Sequence, residues 1–120
     1  MKTIIIILSL FLTFVYAEEV KITANSFEID EKKRISIFKG NVHILKGNDE
    51  LNASVLSVIF DKKNKPIKYR ARGKVSFLLF MKNKTIYSGS SRELIYIPVK
   101  QQYKLLKNVI IHEITSSKIL

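Results

Sequence analysis

The chain has 120 residues, of which 47% are hydrophobic and 26% charged, and it contains no Cys and no Trp. Lys and Arg outnumber Asp and Glu by 21 to 10, which gives a formal net charge of +11 at pH 7. This length predicts one domain and excludes a two-domain dehydrogenase or a (β/α)₈ barrel. The apolar content excludes a disordered tail. A basic chain of this size is attracted to an anionic partner: nucleic acid, a membrane surface or an anionic lipid.

The N-terminus has the three parts of a secretory signal peptide. Met1 and Lys2 form a short positive start, residues 3–15 carry no charge and are mostly apolar, and Ala17 ends a cleavage site. The alternative is an uncleaved anchor, but the apolar stretch falls short of the ~20 residues that a spanning helix needs. We therefore expect cleavage after Ala17 and folding outside the cytosol. Without Cys, the exported chain must close its core by packing, or gain stability from a ligand or partner.

The rest of the chain consists of runs of β-branched and aromatic residues separated by short polar clusters. From residue 67 to residue 77, apolar and polar residues alternate strictly, which predicts a strand with one buried face. In chain order, the predicted strands cover residues 20–29, 35–45, 51–60, 67–79, 86–97 and 103–114. No segment after residue 17 sustains the 3.6-residue period of a helix. The sequence therefore predicts an all-β, antiparallel meander, sandwich or open barrel.

Three seven-residue segments, at 38–44, 71–77 and 105–111, align with one another as a repeated pattern. Val42, Val75 and Val109 occupy equivalent positions, with spacings of 33 and 34 residues. A period of this size is typical of stacked or rolled architectures, because one strand pair cannot bury its own apolar face. Gly40 and Gly73 match within the repeat, and a glycine inside a strand permits the bend or bulge that a rolled sheet needs.

Further short motifs follow one another in a fixed order. They are Ile22-Thr23-Ala24, the polar turn at 30–34, Phe38-Lys39-Gly40-Asn41-Val42, Lys46-Gly47, Leu51-Asn52-Ala53, Gly73-Lys74-Val75, Tyr87-Ser88-Gly89 and Leu106-Lys107-Asn108-Val109. In this order and spacing they resemble the OstA-like/LptA family of periplasmic lipopolysaccharide-transport proteins, over nearly the whole mature chain. Two positions depart from the family pattern: Ser54 stands where an acidic residue is frequent, and Lys107 replaces the third glycine.

The resemblance implies that residues 18–120 form a twisted, antiparallel, open β-jellyroll built from repeated strand pairs. It also implies a bridge that carries lipopolysaccharide from the inner to the outer membrane, with acyl chains held in the jellyroll interior. Copies of the chain, or sister transport proteins at the two membranes, would join head to tail through edge strands.

The predicted lipid-binding residues are apolar and lie on one face of the strands. They are Phe38, Val42, Ile44, Leu51, Ala53, Val55, Val75, Phe77, Val109 and Ile111. Each buried methylene contributes ~0.8 kcal/mol, so several acyl chains would supply ample affinity. The plainer interpretation is that these residues form the core, and the two interpretations overlap because such a groove is a core left partly open.

The positive charge fits a lipid ligand, because lipid A carries phosphates that Lys and Arg at a groove mouth could pair with. Arg70, Arg72 and Lys74 share the polar face of one strand, where a solvated basic surface is the simpler interpretation. The sequence singles out no phosphate-binding residue.

No group of residues predicts catalysis, a cofactor or a metal site. His43 and His112 do not match within the repeat and lie in no cluster with metal-ligand spacing. We therefore expect a protein that is not an enzyme and, once exported, has no nucleic-acid partner. Two alternatives remain: an exported basic β-module that binds polyanions or the cell surface, and a membrane-tethered sister component of the same transport system.

Overall fold

The computed structural model describes residues 19–115, so the predicted signal peptide and its cleavage site lie outside the described residues. This part of the chain forms eight strands and one 3₁₀ turn. The strands are β1 (Val20–Thr23), β2 (Ser26–Asp30), β3 (Ile35–Lys46), β4 (Asp49–Phe60), β5 (Pro66–Phe80), β6 (Thr85–Ile97), β7 (Gln102–Leu106) and β8 (Ile110–Thr115), with the turn at Pro98–Lys100. The four central strands agree with the predicted ones, whereas the first and the last predicted strand are each divided in two.

All strands belong to one antiparallel sheet with the order β1-β3-β4-β5-β6-β7. At one side β1 and β2 pair with different parts of β3, so the two short strands lie end to end along it. At the other side β7 and β8 pair in the same way with β6. The sheet therefore has two open edges, each made of two short strands. This arrangement confirms the predicted all-β, twisted antiparallel open jellyroll.

A line of irregular backbone crosses the sheet, and we call it the crease. It contains three pairs of neighbouring residues with positive φ: Gly40 and Asn41 (82° and 48°), Gly73 and Lys74 (80° and 48°), and Lys107 and Asn108 (68° and 53°). The first two pairs shift the register of β3 and β5, and the third separates β7 from β8. These are equivalent positions of the sequence repeat, so the repeat marks where each strand bends.

The two glycines of the crease permit close approaches that no other residue allows. A Cβ atom on Gly73 would lie 2.8 Å from the Ser54 side chain, and one on Gly40 would lie 2.7 Å from Asn25 Nδ2. The Ser54 hydroxyl donates a hydrogen bond to the Gly73 carbonyl at 3.1 Å. Ser54, one of the two departures from the family pattern, thus ties β4 to β5 at the crease. Lys107 takes a left-handed conformation without being glycine, which costs roughly 1–2 kcal/mol.

The bend brings the two halves of the inner face together around one core. Its buried residues come from both sides of the crease and are Val42, Ile44, Leu51, Ala53, Leu56, Val58, Ala71, Val75, Phe77, Leu79, Leu94 and Tyr96. Partly buried residues of the edge strands, including Val20, Tyr103 and Leu105, pack against this cluster. The core is therefore closed by contacts between strands that are far apart in the sheet order.

Replacing Gly73 with Ala is expected to destabilise the protein by about 1–3 kcal/mol, because the new Cβ combines a positive φ with a contact below 3 Å. The free energy of unfolding can be measured by urea denaturation. Lys74→Ala is the matched control, since the neighbouring residue also has positive φ but an exposed side chain. Equal losses in both variants would contradict this account of the crease.

Candidate functional site

The centre of the core is almost filled. A cavity of about 30 Å³ remains, lined by apolar and aromatic residues that include Val20 of β1, Leu56 of β4, Leu94 of β6 and Tyr103 of β7. One water molecule requires roughly 10–15 Å³, so this space holds about two waters and is far too small for an acyl chain. Any long apolar ligand must therefore lie elsewhere or widen the interior.

A much larger groove opens beside the β7–β8 edge. It has a volume of about 630 Å³ and is lined by Leu79, Met81, Tyr87, Lys100, Gln101, Gln102, Tyr103, Leu105 and Ile111. Its walls are mainly apolar side chains from β5 to β8, and its polar rim comes from the 3₁₀ turn and the residues that follow it. This size lies within the ordinary range of ligand pockets. The groove is thus a place where the apolar inner face is accessible from solvent.

A polar cluster of Lys46, Asp49, Tyr96 and Tyr103 lies at the end of the interior. The Tyr103 hydroxyl donates a hydrogen bond to Asp49 Oδ2 at 2.7 Å, and the Phe80 backbone N–H donates one to Asp49 Oδ1 at 2.8 Å. Lys46 Nζ lies 3.8 Å from Asp49 Oδ2 and 4.7 Å from the centre of the Tyr96 ring. The cluster joins the hairpin between β3 and β4 to β7, across the open side of the sheet.

The charge of Lys46 acts inside the protein. Burial raises the pKa of the Tyr69 hydroxyl above its ordinary value, and the neighbouring Tyr96 raises it further. The positive charge of Lys46 opposes this rise and lowers the same pKa. Tyr69 and Lys46 both line the small central cavity. The hydrocarbon part of Lys46 therefore borders the interior, and its charge is close enough to act on the Tyr69 hydroxyl.

Most of the predicted lipid-binding residues lie on the inner face. Six of them are buried in the core: Val42, Ile44, Leu51, Ala53, Val75 and Phe77. Phe38 is partly buried and packs against the core, with its ring 4.7 Å from that of Phe27 on the edge strand β2. Val109 and Ile111 are 41% and 47% exposed and belong to the open β8 side. Ile111 lines the large groove.

Val55 differs from the other predicted residues. It pairs with Lys39 of β3 and Arg72 of β5, both exposed, so the three side chains share the outer face. Strict alternation from Leu51 would have turned Val55 inward, but the crease interrupts that alternation. Ala53 and Leu56 are both buried, and two residues rather than one separate them. The structure therefore corrects the inward placement expected for Val55.

The sequence analysis missed the polar cluster and part of the core. Leu56, Leu94 and Tyr96 are buried, yet none was predicted to lie in the groove. One signal for the cluster was readable, because Lys46 follows the alternation of Val42 and Ile44 and so occupies an inward position. No local pattern indicates Tyr103 as the partner of Asp49, since the two lie 54 residues apart.

The outer face of the described strands carries several ion pairs. His43 lies 2.7 Å from Asn52 Oδ1 and 3.2 Å from Glu50 Oε2, at a partly exposed position. Arg70 Nε lies 2.7 Å from Glu93 Oε2 as an ion pair. Across residues 19–115, His, Asp and Glu side chains do not gather in groups of three or more that could hold a metal ion. The same part of the chain contains no helical segment with the length and apolar character required to cross a bilayer.

Tyr103→Phe should lower the free energy of unfolding by about 1–3 kcal/mol, because it removes a hydrogen bond to a carboxylate that is largely buried. Urea denaturation measures the loss. Tyr87→Phe serves as the control, since Tyr87 is a half-buried tyrosine that lines the same groove. If both variants lost the same free energy of unfolding, the hydrogen bond between Tyr103 and Asp49 would contribute no more to stability than the Tyr87 hydroxyl does.

Comparisons with known proteins agree with this architecture. Residues 21–119 match the family model described as LptA/(LptD N-terminal domain) LPS transport protein. The crystal structure of LptH from Pseudomonas aeruginosa, described as the LptA homologous periplasmic component of the conserved lipopolysaccharide transport device, is similar with a TM-score of 0.69. The match has 15% sequence identity and covers 80% of this chain and 67% of that chain.

No curated protein sequence matches this chain. At 15% identity, the likeness to LptH shows a common fold. The family model spans far more than half of the chain and confirms the resemblance seen in the motifs. The chain therefore belongs to the LptA/LptD N-terminal domain family of lipopolysaccharide-transport proteins.

Proposed function

We propose that this protein is a periplasmic component that carries lipopolysaccharide between the membranes and holds its acyl chains against the inner face of the jellyroll. The observation that carries the proposal is the groove of about 630 Å³ beside β7 and β8, where the apolar inner face is open. Membership of a lipopolysaccharide-transport family supports the choice of ligand.

The energetics favour entry of an alkyl chain beyond the groove. Widening the interior requires β7 to move away from the hairpin between β3 and β4, which breaks the hydrogen bond between Tyr103 and Asp49. That loss costs about 1.5–3 kcal/mol. A chain that buries about ten methylenes gains ~8 kcal/mol. This gain is larger than the loss of that hydrogen bond and can also offset the lost contact between the Tyr96 and Tyr103 rings, so an acyl chain could widen the interior.

We further propose that the N-terminal segment directs export and is removed after Ala17, so that the mature chain begins at Glu18 in the periplasm. The charge pattern of residues 1–17 supports this assignment. Mass measurement of the protein recovered from the periplasm tests it. A chain retained at the membrane with residues 3–15 attached would instead be the tethered sister component.

Head-to-tail association would use the two open edges of the sheet. The strands β1 and β2 form one edge, and β7 and β8 form the other. Unpaired edges favour the addition of a further strand, and two different edges meeting give open chains of protomers, not closed dimers. Ile29 of β2 and Ile110 of β8 are 61% and 57% exposed, which supports an interface at each edge.

The groove can be tested with a photo-crosslinking amino acid at Leu105 and at its neighbour Lys104. Leu105 lines the groove, whereas Lys104 is exposed and pairs with Ile95 on the other face of the sheet. We expect crosslinks to lipopolysaccharide from position 105 and none from position 104. Crosslinks from neither position, or only from 104, would contradict binding on the inner face.

Association through the edges predicts that Ile110→Lys combined with Ile114→Lys weakens oligomers, because charged side chains on an edge strand oppose strand addition. Sedimentation at increasing protein concentration measures the effect. Ile67→Lys is the control, since Ile67 is an exposed apolar residue on the central strand β5. A wild-type protein that stays monomeric at all concentrations would rule out self-association.

A further inference from the structure

One hairpin carries a concentration of basic residues. Residues 61–74 contain seven Lys or Arg and one acidic residue, Asp61, which gives this segment a formal charge of +6. A third of the chain's 21 basic residues therefore lie within 14 of its 120 positions. These positions cover the turn between β4 and β5 and the first part of β5, up to the crease.

The cations of β5 share the outer face of the sheet with one cation of β7. Lys68, Arg70 and Arg72 point outward, because the residues between them, at 69 and 71, belong to the core or pack against it. Lys104 lies on the same face, since it and Arg70 are both Cα partners of Ile95. Three exposed lysines of the adjoining turn extend this surface. We call it the basic face, and its residues are Lys62, Lys63, Lys65, Lys68, Arg70, Arg72 and Lys104.

The acidic residues of this region are engaged in contacts of their own. Asp61 Oδ1 accepts hydrogen bonds from the backbone N–H groups of residues 63 and 65, at 2.8 and 2.9 Å. The Glu93 side chain is 11% exposed and lies 2.7 Å from Arg70 Nε and 3.9 Å from Lys107 Nζ. Within residues 19–115, the other cations of the basic face form no ion pair with a carboxylate. Their charge is therefore available to an anion outside the protein.

The outer face beyond the crease is almost without charge. The bend packs the two halves of the inner face together, so the two halves of the outer face point in opposite directions. On the far half, Lys21 of β1 and Glu50 of β4 have opposite charges. The outward positions of β5 and β6 there are uncharged: Ser76, Leu78, Phe80, Ile86, Ser88 and Ser90. Charge is thus segregated, and one side of the molecule attracts anions far more than the other.

We propose that the basic face docks the protein on an anionic phospholipid bilayer, with the outer face of β5 against the membrane surface. The cations extend in two directions, which suits a flat surface better than a linear polymer. Lys68 and Arg72 lie four residues apart along β5, roughly 13 Å, and Lys104 lies two strands away, roughly 10 Å. This contact goes beyond the proposed function, because it uses the opposite face of the sheet and leaves the groove free.

The number of cations is sufficient for such a contact. Clusters of four to eight Lys or Arg are typical of segments that bind anionic bilayers, and each adds about fivefold to the affinity when it lies near the surface. The effect decays within a Debye length, ~10 Å at 0.1 M salt. Sheets that pack face to face are themselves ~10 Å apart, so cations on the far outer face lie beyond this range. Only the charges of the docked side should therefore contribute.

Co-sedimentation of the mature chain with vesicles tests the contact. Vesicles of phosphatidylcholine are compared with vesicles of phosphatidylcholine and phosphatidylglycerol. Both offer the same acyl chains and differ in surface charge, so uptake of a chain by the groove would not distinguish them. We expect binding to the vesicles that contain phosphatidylglycerol, loss of that binding at high salt, and no binding to phosphatidylcholine alone.

Two pairs of substitutions locate the contact. Lys68→Gln combined with Arg72→Gln should weaken binding about 25-fold, at about fivefold for each charge. Lys21→Gln combined with Lys84→Gln is the matched control, because it removes the same charge from exposed positions beyond the crease. The control should change the affinity less than about twofold. If the strand variant does not fold, Lys62→Gln combined with Lys63→Gln makes the same test in the exposed turn.

Each outcome decides the proposal. Equal losses in the test and control variants would show that net charge, not one face, holds the protein on the vesicle, and would refute the docking surface. Absence of binding to vesicles that contain phosphatidylglycerol would also refute it, and binding to heparin in that case would assign the basic face to a soluble polyanion. Neither result affects the lipid-binding groove, which crosslinking from position 105 tests separately.

Discussion

The crease is the constraint on which the rest of the structure depends. An antiparallel sheet with one apolar face must cover that face, and this chain does so by bending at the same level in β3, in β5 and between β7 and β8. The bend requires backbone conformations that L-residues avoid, which glycine supplies at Gly40 and Gly73. At the third position Lys107 adopts the same conformation without glycine. The three positions lie at the same level on alternate strands, in β3, in β5 and at the junction of β7 and β8, and this alignment lets the sheet fold onto itself.

Because the bent sheet does not close into a barrel, no backbone hydrogen bonds connect its two edges. Contacts between side chains must hold the two edges near each other. The hydrogen bond between Tyr103 and Asp49 connects β7 to the hairpin between β3 and β4. Lys46 packs over the aromatic ring of Tyr96 at the same place. These polar contacts act together with the apolar packing of Val20, Tyr103 and Leu105 to close the interior. Side-chain contacts of this kind are easier to reverse than the backbone pairing within the sheet.

The interior is packed in one region and open to solvent in another. Near the crease the apolar residues are fully packed, and only about 30 Å³ is left between them. Toward β7 and β8 the same face is uncovered and forms the groove. One apolar surface thus supplies stability where it is covered and a place for lipid where it is not. Tyr103 lines both the small cavity and the groove, so it lies where these two regions meet.

The sequence by itself determined the fold class and most of the inner face. Period-two alternation depends on neighbouring residues alone, so the central strands and buried residues such as Val42 and Phe77 could be read directly. The repeat likewise located the crease, because its glycines are needed by the local backbone. The alternation could not predict the position at which it is interrupted. Val55 points outward because strands β3 and β5 each carry one extra residue beside it.

Only the tertiary structure decided which parts of the inner face are covered and which polar groups meet there. The bend brings together residues that lie far apart in the chain, such as Asp49 and Tyr103. Val109 and Ile111 repeat the pattern of buried residues, yet they remain exposed because β8 lies at an edge with no further strand to cover it. A local pattern fixes which way a side chain points along its strand. Whether another part of the chain covers that side chain depends on long-range packing, which no local pattern encodes.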